Sequence, residues 1–521
     1  MTTPHFLILG LGASGLAMAR WCARAGAAVT VADTREAPPQ LQALRQHVPD
    51  ARFFGGPFDA ALLEPGASHV LRSPGLSPDQ VAPVAQAAAA RGLPIGGELS
   101  LFAQALAELK AQQSYSPQIL AITGTNGKTT VTSLTGQLVE RSGKTVAVAG
   151  NIGPTLVDTL AQRLEAGDLP QVWVLELSSF QLDTPGQFEP TAAAVLNLTQ
   201  DHLDWHGDMD RYAGAKSRIF GQAGLMVLNR EDPRVMAMLP AAVRQKGGRM
   251  EQRAYATFGA DMPQRPGDFG IEVVNGMAWL VRALEADETR KKGTRARKGV
   301  APVANEVTGA EQAEYADDEL HFQRLMPADA LRIRGRHNAV NALSALALAS
   351  AAGCAMGPML YGLREYRGEP HRVESVVIVN EVEYFDDSKG TNVGATVAAL
   401  QGLGTERKLV VILGGEGKGQ DFTPLALPVG RTTRAVVLMG RDAPLIRAAL
   451  QSAGVPLLEA GTMEEAVSLA SRQAQPGDAV LLSPACASFD MFRDYAHRAE
   501  VFRAAVARVA SDAGVELEGV A

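Results

Sequence analysis

Short runs of consecutive apolar residues recur along the chain, separated by stretches in which apolar residues return every three or four positions. Runs of this kind occupy residues 6–9, 119–122, 172–175 and 409–413. Fully apolar runs are typical of strands buried on both faces of a parallel sheet, and the intervening periodicity is typical of helices that cover such a sheet. The pattern therefore predicts an α/β protein of alternating strands and helices.

The alternation falls into three blocks, as expected because a chain of 521 residues is too long for one hydrophobic core. We predict an N-terminal domain over residues 1–97, a central domain over residues 98–369 and a C-terminal domain over residues 370–521. A polar linker over residues 112–117 separates the first two blocks, and the run Pro370-His-Arg372 begins the third.

Residues 285–319 differ in composition from the rest of the central block. A basic run between Arg290 and Lys298 is followed by an acidic run between Glu306 and Glu319. Because this segment has almost nothing to bury, we predict a solvated, disordered loop inserted between two strands. The alternative is a short basic run that binds RNA or a partner protein.

The central block opens on a candidate phosphate loop, Ile122-Thr-Gly-Thr-Asn-Gly-Lys-Thr-Thr130. A strand, a glycine loop and a helix start in this order direct backbone N–H groups and the positive end of the helix dipole at an anion. Lys128 would neutralise phosphate oxygens, and the Thr129 hydroxyl would bind Mg²⁺. The position of the first P-loop glycine is Ile122, so the loop is a shortened variant. An ordinary strand–turn–helix junction is the alternative. The residues predicted to bind ATP here are Gly124, Thr125, Asn126, Gly127, Lys128, Thr129 and Thr130.

The N-terminal block carries the pattern Gly10-x-Gly12-x-x-Gly15 after its first strand, and Asp33 ends the second strand. This is the Rossmann dinucleotide fingerprint, with Asp33 placed to bind the ribose of NAD. The same loop can hold any diphosphate, or nothing. A turn at Ser73-Pro74-Gly75 follows a further strand, at the edge of the sheet where ligands collect.

Three side chains of the central block are candidates for metal chemistry. Glu176 follows the apolar run 172–175, and a carboxylate there is costly to bury unless it is paired or bound to a metal. A structural buried acid is the alternative. His202 follows the next strand, where packing is the simpler interpretation for an isolated histidine, but its polar neighbours favour a role in binding a metal or the substrate. Lys216 lies in a helical segment, and the pattern alone makes it an exposed helix lysine.

The C-terminal block has loops that are dense in polar residues. Residues 385–392 follow a short strand, and residues 408–419 form a strand and a glycine-rich loop with Lys418 at its tip. Cys486 lies in a further polar run, but His497, the nearest histidine, falls along a predicted helix and does not mark a general base. In the central block, Asn338 starts a long Ala/Leu helix, where it either binds a purine or caps the helix.

Composition narrows the class of protein. The net charge of -7 argues against general nucleic-acid binding. The three cysteines are widely spaced, which fits a reducing compartment and gives no disulfide or zinc pattern. The chain has neither a signal-peptide pattern nor an apolar run long enough to span a membrane. We therefore predict a cytoplasmic protein without a membrane span.

A series of motifs resembles the Mur ligases of peptidoglycan synthesis, from Phe6 to about Arg503 apart from the insert. The motifs are Thr123-Gly-Thr-Asn-Gly-Lys-Thr129, Leu175-Glu-Leu-Ser-Ser-Phe-Gln181, Asp201-His-Leu-Asp204, Gly335-Arg-His-Asn338, Pro370-His-Arg372, Asp387-Ser-Lys-Gly-Thr-Asn392 and Ser483-Pro-Ala-Cys-Ala-Ser488. The last two resemble those of the members that add D-glutamate. The resemblance implies a Rossmann-like first domain that holds a UDP-sugar rather than NAD, a P-loop-type ATP-binding central domain and a Rossmann-like C-terminal domain that binds the amino acid.

The resemblance also implies a reaction. ATP would activate the carboxylate of UDP-N-acetylmuramoyl-L-alanine as an acyl phosphate, and the amine of D-glutamate would displace the phosphate. Two Mg²⁺ ions and a CO₂-derived carbamate on Lys216 are implied as well. A carbamate would turn a cation that repels Mg²⁺ into an anionic oxygen ligand, which suits a hard metal. We expect a monomer without a nucleic-acid partner.

The resemblance assigns roles to individual positions. The catalytic residues would be Lys128, His202 and Lys216, and the metal ligands Thr129, Glu176, His202 and Lys216. The ATP set would gain Asn338, Arg372 and Asp387. The UDP-sugar would contact Ser14, Thr34, Arg35, Ser73, Gly75, Asn151 and His202. D-Glutamate would contact Lys389, Thr391, Lys418, Ser488 and Tyr495.

Other classes of function stay open at this point. A folylpolyglutamate-type ligase shares the ATP loop and the central domain but does not need the first domain. An NAD-dependent oxidoreductase does not explain the ATP loop. A non-catalytic UDP-sugar sensor could lose Glu176 and Lys216, which are both present.

Overall fold

The computed structural model describes residues 3–64, 66–244, 250–285, 320–405 and 407–515. Each predicted block contributes one main sheet. The predicted insert lies outside the described residues from position 286 to position 319.

The first sheet is parallel, with five strands in the order β3-β2-β1-β4-β5. Its strands are β1 (His5–Leu9), β2 (Ala28–Asp33), β3 (Arg52–Gly55), β4 (His69–Arg72) and β5 (Ile95–Gly96). The helices of this region are α1 (Ala13–Arg24), α2 (Leu41–His47), α3 (Pro78–Ala90) and α4 (Glu98–Gln113). The order reverses beside β1, so the turn after β1 and the turn after β4 lie together at the carboxyl edge, where open α/β sheets bind ligands.

The central sheet has nine strands in the order β16-β15-β14-β13-β10-β9-β6-β8-β7. Its strands are β6 (Gln118–Thr123), β7 (Val146–Gly150), β8 (Val172–Glu176), β9 (Ala192–Val195), β10 (Leu225–Asn229), β13 (Tyr255–Phe258), β14 (Phe269–Val274), β15 (Met277–Leu284) and β16 (His321–Pro327). A separate antiparallel pair is formed by β11 (Val243–Arg244) and β12 (Met250–Glu251). Strands β14, β15 and β16 pair antiparallel, a feature that the sequence pattern did not predict. In the chain, the predicted insert 285–319 falls between β15 and β16.

Helices cover the central sheet and carry several of the predicted motifs. They are α5 (Lys128–Arg141), α6 (Leu156–Ala166), α7 (Leu203–His206), α8 (Met209–Ser217), α9 (Pro233–Met236), α10 (Arg336–Ala351) and α11 (Met356–Glu365). Strand β6, which is buried from Leu120 onwards, lies between β8 and β9, which places the loops after these three strands side by side.

The third sheet has six strands in the order β17-β18-β22-β19-β20-β21, and β17 is antiparallel to β18. Its strands are β17 (Glu374–Val379), β18 (Val382–Asp386), β19 (Leu409–Gly414), β20 (Thr433–Met439), β21 (Leu457–Glu459) and β22 (Ala479–Leu482). Its helices are α12 (Val393–Leu403), α13 (Ala426–Thr432), α14 (Ala443–Leu450), α15 (Met463–Gln473) and α16 (Tyr495–Asp512). The remaining strands pair parallel, which confirms the doubly wound C-terminal domain.

The hydrophobic core is continuous between the first two sheets. One apolar cluster includes Ile8 of β1, Phe102 of α4 and Trp173 of β8, and the rings of Phe102 and Trp173 meet edge to face with 5.1 Å between centroids. The apolar clusters of the third sheet contain only residues from Val373 onwards. The domain boundaries at 97/98 and 369/370 stay predictions, since α4 packs with both of the first two sheets.

Among the described residues, no helix combines the length and the apolar character that crossing a membrane requires. Cys22, Cys354 and Cys486 are free thiols, and all are buried. Burial raises the pKa of Cys486 to about 12, so a nucleophilic thiolate is disfavoured there.

Candidate active site

The candidate phosphate loop leaves the end of β6 and enters α5 at Lys128. Gly127, with φ +83°, takes the left-handed conformation before the helix, and a Cβ at this position would lie 2.8 Å from Asn341 Oδ1. The amide N–H groups of Thr125 and Asn126 donate to the backbone and side-chain oxygens of Asn197, at 2.9 and 2.8 Å. The loop is therefore fixed by the segment that follows β9.

Two lysine side chains converge on this loop. Lys128 Nζ donates to the carbonyl oxygens of Gly124 and Thr125, at 2.9 and 2.8 Å. Lys216 Nζ donates to the same Gly124 oxygen at 2.9 Å and to Thr123 Oγ1 at 3.2 Å. Two amine nitrogens that share one carbonyl oxygen place nitrogen donors at the end of β6, where the loop would meet a polyphosphate.

Lys216 is not the exposed helix lysine that its sequence pattern indicated, because its side chain is only 1% exposed. Helix α8 turns this face inwards, and the ammonium nitrogen lies 4.7 Å from the ring centroid of Tyr212, one helical turn earlier. Burial, and next the charge of Lys128, lower the pKa of Lys216 well below its usual value. The environment thus favours the neutral amine.

Glu176 is the last residue of β8 and is 3% exposed. Its carboxylate accepts a hydrogen bond from Asn151 Nδ2 at 3.0 Å. The preceding residue of that turn, Gly150, allows a close backbone approach, because a Cβ there would lie 2.1 Å from the Glu176 carbonyl oxygen. Asn151, predicted to contact the UDP-sugar, is therefore also a direct neighbour of the predicted metal carboxylate.

His202 precedes the short helix α7 with a positive φ of 54°. Its ring meets the ring of Phe180 edge to face, with 4.7 Å between centroids, and 44% of its side chain is exposed. Its Nε2 lies 3.6 Å from Asp201 Oδ2, and an exposed imidazole on a loop can reach a ligand, which a buried packing histidine cannot. The simpler interpretation of His202 as a packing residue is thus disfavoured by its position.

A small cavity of about 220 Å³ lies between the His202 segment and the loops of the third sheet. Four of the five residues predicted to bind D-glutamate line it together with Asp201 and His202. These four are Thr391, Lys418, Ser488 and Tyr495. The fifth, Lys389, does not line this cavity; its ammonium nitrogen lies 3.5 Å from the ring centroid of Tyr495.

A second cavity of about 100 Å³ adjoins the phosphate loop and is lined by Lys389, Asn338, Arg372 and Asp387. The structure therefore brings together the three residues predicted to bind the nucleotide. Asn338 Nδ2 donates to the Arg334 carbonyl at 2.8 Å, so its side chain is hydrogen-bonded to the backbone just before the start of α10. Asp387 accepts from Ser483 Oγ at 2.7 Å, and burial raises the pKa of Asp387 to about 7.

Arg372 joins the third sheet to the phosphate loop. Its Nη2 donates to Thr129 Oγ1 at 2.7 Å. A threonine hydroxyl has two lone pairs, so it can accept this bond and still offer an oxygen to a cation. Arg372 thereby brings a fixed positive charge to the same end of α5.

The turn after β1 has the close backbone approach that its glycine pattern predicts. A Cβ on Gly15 would lie 2.0 Å from the Gly10 carbonyl oxygen, and Ser73 Oγ donates to that same oxygen at 2.9 Å. Ser14 on the first turn of α1 is half-buried, whereas Thr34 and Gly75 are exposed. The predicted UDP-sugar residues of this domain thus surround one edge of the first sheet.

Asp33 does not have the free carboxylate that NAD binding would use. One oxygen accepts from the Leu11 N–H at 2.7 Å, and Arg35 donates to both oxygens at 2.8 and 2.9 Å. Although burial opposes it, these hydrogen bonds lower the pKa of Asp33 to about 2. Arg35, predicted to hold the UDP-sugar, is thereby fixed beside the loop after β2.

Sequence reasoning missed the connection between the first two sheets. Arg72, at the end of β4, is 6% exposed and pairs with Asp183 at 2.5 Å; Arg218 pairs with the other Asp183 oxygen at 3.0 Å. The Arg72 guanidinium also lies over the Trp205 ring, 5.4 Å from its centroid. The sequence did contain a signal for this ion pair, because Arg72 ends a predicted buried strand next to Ser73. A charged side chain is rarely buried in a strand unless it has a partner of opposite charge.

Comparisons with known proteins identify relatives over the whole chain. Family models match in order: "Mur ligase MurD-like, N-terminal domain" over residues 4–97, "Mur ligase middle domain" over residues 122–274 and "Mur ligase, glutamate ligase domain" over residues 371–486. A UDP-N-acetylmuramoylalanine--D-glutamate ligase from Albidiferax ferrireducens is 68% identical over 518 residues, covering 99% of this chain and 98% of the relative. A ligase of the same name from Polaromonas sp. is 57% identical over 598 residues, covering 98% of each.

The fold is shared more widely than the sequence. The crystal structure of MurF ligase from Thermotoga maritima in complex with ADP superposes with a TM-score of 0.54 at 14% sequence identity, covering 98% of this chain and 100% of that chain.

Proposed function

The chain belongs to the Mur ligase family, and we propose that it is the ATP-dependent ligase that joins D-glutamate to UDP-N-acetylmuramoyl-L-alanine in the synthesis of peptidoglycan precursors. The near full-length identity of 68% to a ligase of that name carries the proposal. The site fits it, because the chain has both a phosphate loop with two lysines and a small cavity lined by polar groups, among them Lys418 and two aspartates.

ATP would bind along the phosphate loop, with its polyphosphate at the start of α5 and its base towards Asn338 and Asp387. Lys128 and Arg372 would compensate the charge that spreads over the oxygens of the transferred phosphoryl group. Burial, opposed by Glu176, lowers the pKa of Lys128. A bound polyphosphate would counter that effect and hold Lys128 in its charged form.

The residues fit Mg²⁺, since hydroxyl and carboxylate oxygens are the ligands that this hard cation prefers. We propose Thr129, Glu176, His202 and a carbamate on Lys216 as the residues that hold two ions. When bound, Mg²⁺ would neutralise phosphate charge as a Lewis acid. The lowered pKa of Lys216 supports the carbamate, because CO₂ reacts with the neutral amine.

The reaction has two steps on the substrate. The carboxylate of the L-alanyl group attacks the γ-phosphorus of ATP, the bond to the bridging oxygen breaks, and ADP leaves. The amine of D-glutamate then attacks the acyl phosphate carbonyl, and phosphate leaves as the amide forms and the amine loses its proton. Lys128 and Arg372 would stabilise the negative charge that develops in these steps.

D-Glutamate would occupy the cavity of about 220 Å³. Lys418 supplies a point charge for a carboxylate, and the hydroxyl groups of Thr391, Ser488 and Tyr495 supply hydrogen bonds. We propose that Lys389 acts between the two cavities, where it can bind an oxygen of the transferred phosphate or a carboxylate of the amino acid. The two cavities are lined from both sheets, so closing the third sheet onto the second would exclude water from the acyl phosphate.

The N-terminal turn would hold the UDP moiety with its diphosphate at the start of α1. Ser14, Thr34, Arg35, Ser73 and Gly75 surround this turn, and Asn151 with His202 would contact the sugar end.

We propose that the protein is a monomer and that it is located in the cytoplasm. The free, buried state of its three cysteines fits a reducing compartment.

The test is release of inorganic phosphate from the purified protein with ATP, Mg²⁺ and UDP-N-acetylmuramoyl-L-alanine, supplied in turn with D-glutamate, L-glutamate, L-alanine or meso-diaminopimelate. We expect release with D-glutamate alone. Release with another amino acid would keep the ligase and overturn the assignment of the amino acid. No release with any of them would favour a UDP-sugar sensor.

The carbamate has its own test. With ¹³C-labelled bicarbonate, the protein should show a carbamate carbon signal that disappears in Lys216→Ala, and short carboxylic acids should partly restore the activity of that variant. Lys128→Ala is the matched control, because it should keep the signal and should not be rescued. A folded Lys216→Ala that no acid rescues, together with an unchanged signal, would contradict the carbamate.

A further inference from the structure

The side chains of Asn126 and Asn392 face each other between the phosphate loop and the third sheet, although 266 residues separate them in the chain. Asn392 Nδ2 donates to Asn126 Oδ1 at 3.0 Å, and Asn126 Nδ2 donates to Asn392 Oδ1 at 3.3 Å. Each carboxamide is thus donor and acceptor to the other. The pair adds no net charge beside a site that is built for phosphate.

Asn392 also starts helix α12. Its Oδ1 accepts from the Ala395 N–H at 2.9 Å, which is the bond of an N-cap residue. This bond fixes which way the amide points, since Oδ1 must face the helix and Nδ2 is left for Asn126. The side chain is 5% exposed, so its orientation is set by protein groups rather than by solvent.

Asn126 is held equally firmly on the opposite side. Its N–H donates to Asn197 Oδ1 at 2.8 Å, and Asn197 Nδ2 donates back to its carbonyl oxygen at 3.1 Å. A change in the conformation of the phosphate loop therefore moves the Asn126 carboxamide, and with it the contact to α12.

The first turn of α12 reaches this loop only because residue 394 is glycine. A Cβ there would lie 2.6 Å from Thr199 Oγ1 and 3.1 Å from Asn126 Nδ2. A contact below 3.0 Å would force either the new Cβ or its neighbour to move, and in this packed region Thr199 and Asn126 are held by their own hydrogen bonds. Gly394 thus sets how closely the two sheets approach at this point.

The start of α12 belongs equally to the amino-acid cavity. Thr391, the residue before Asn392, lines that cavity, and so does Gln420. Gln420 Oε1 accepts from the Val393 N–H at 3.0 Å. The loop that carries Lys418 is therefore attached to the same helix start that Asn126 holds.

We propose that the Asn126–Asn392 pair is a positioning contact that makes ATP binding and amino-acid binding favour each other. ATP fixes the phosphate loop, the loop holds the start of α12 through the pair, and α12 places Thr391 and the Lys418 loop around the amino acid. This inference rests on the proposed function of the two cavities, and it assigns to Asn392 a role that no motif or comparison gives it.

The experiment measures the dissociation constant of D-glutamate by calorimetry, in the presence of UDP-N-acetylmuramoyl-L-alanine, with and without a non-hydrolysable ATP analogue. Energetic coupling between two sites is commonly about fivefold or more in affinity, and we expect the analogue to tighten D-glutamate binding by at least that factor in the parent protein. Asn392→Ser should lower the factor to about 1, because serine is a good N-cap but is too short to reach Asn126.

Two further variants keep the test decisive. Asn126→Ala, measured with the ATP analogue at a concentration that saturates this variant, should lose the same coupling with the α12 cap intact, and adding Asn392→Ser to it should change nothing more, as expected for two residues that act through one contact. Thr462→Ala is the matched control, since it removes the N-cap of α15 in the same domain and should keep the full coupling.

The outcomes separate this inference from the proposed function. If D-glutamate binds the parent protein and the coupling survives in Asn392→Ser, the pair has no positioning role. If the parent shows no coupling at all, the inference is equally wrong. If phosphate release needs a different amino acid, the proposed function is corrected, and the same measurement with that amino acid still decides the role of the pair.

Discussion

The central domain meets its two neighbours through junctions of different physical kinds. Its junction with the first sheet is a continuous apolar core closed by ion pairs: Arg72–Asp183 at 2.5 Å, Arg20–Asp158 at 2.6 Å and Arg24–Glu165. At the junction with the third sheet, the clusters of the third sheet include no residue of the central one, among the residues that the structure describes. Hydrogen bonds such as Asn126–Asn392 and Arg372–Thr129 cross this junction, and helix α12 packs beside helix α10.

Because of this difference, we expect the first junction to contribute mainly to stability and the second mainly to catalysis. A shared apolar core resists opening, since each buried side chain adds to the free energy that separation must supply. Single hydrogen bonds contribute about 0.5–1.5 kcal/mol each, so a junction that has them but no shared apolar cluster can open and close while ligands come and go. We infer that changes at the first junction alter unfolding, whereas changes at the second alter turnover and leave unfolding unchanged.

The largest effect is expected in the phosphate loop, which borders the second junction. Lys128→Ala should lower phosphate release by about 10³-fold or more, since positive groups that stabilise transferred phosphoryl groups have effects of that order. Its unfolding midpoint in urea and its affinity for the UDP-substrate should stay those of the parent. Loss of UDP-substrate binding as well would mean that the loop supports the fold, and the contrast between the junctions would fail.

The first junction is tested by Phe102→Ala. Phe102 is fully buried between the two sheets, and removing such a ring costs about 3–5 kcal/mol. Urea unfolding followed by the fluorescence of the neighbouring Trp173 measures this loss. Phe489→Ala is the matched control: that ring is 65% exposed in the amino-acid cavity, so stability should change by less than about 0.5 kcal/mol.

The Arg72–Asp183 pair predicts a dependence on pH. Burial raises the pKa of Asp183, but hydrogen bonds from Arg72 and Arg218 overcome it and hold the pKa below its usual value. A lowered carboxyl pKa contributes stability above the unfolded value of about 3.9, which is lost as the pH falls further. Arg72→Ala should therefore cost about 1–3 kcal/mol near neutral pH and less in acid, as urea midpoints at several pH values will show. An equal loss at every pH would contradict an ionic role.

The smallest effect is expected for Glu98, whose pH dependence of stability has the opposite sign to that of the Arg72–Asp183 pair. Burial raises the pKa of Glu98 to about 7, although Ser14 and the N–H groups at the start of α6 oppose it. Because the folded pKa lies above the unfolded one, this carboxyl costs stability progressively as the pH rises from about 4.3 towards 7. Glu98→Gln should flatten that part of the stability profile by about 1–2 kcal/mol. An unchanged profile in the variant would show that Glu98 titrates normally.

The sequence predicted those features that depend on neighbouring residues. The strand–loop–helix at Gly124 and the close approach of Gly10 and Gly15 are local, because each needs only glycine and apolar residues at fixed spacings. The burial of Lys216 was not predictable from its helix, since an isolated lysine reads as exposed until the packing partner is known. The resemblance to a family placed Lys216 in the site, and the structure supplied the physical reason.

The features that the sequence did not predict depend on contacts between distant parts of the chain. Asn392 was visible in a motif, but its partner Asn126 could be identified only after the two sheets were placed together. The position of Lys389 outside the amino-acid cavity depends in the same way on how its side chain meets Tyr495. The antiparallel strands β14 to β16 were missed because apolar runs do not carry strand direction.

The hairpin of β15 and β16 offers a place to engineer the molecule. Leu284 and His321 are register partners, so the two ends of the connecting segment emerge side by side. Five strand spacings separate β15 from β6 in the sheet, or about 24 Å at the usual distance between strands. A fluorescent protein or an affinity handle could replace residues 286–319 there, since its termini would enter and leave at one point and its bulk would stay remote from the phosphate loop.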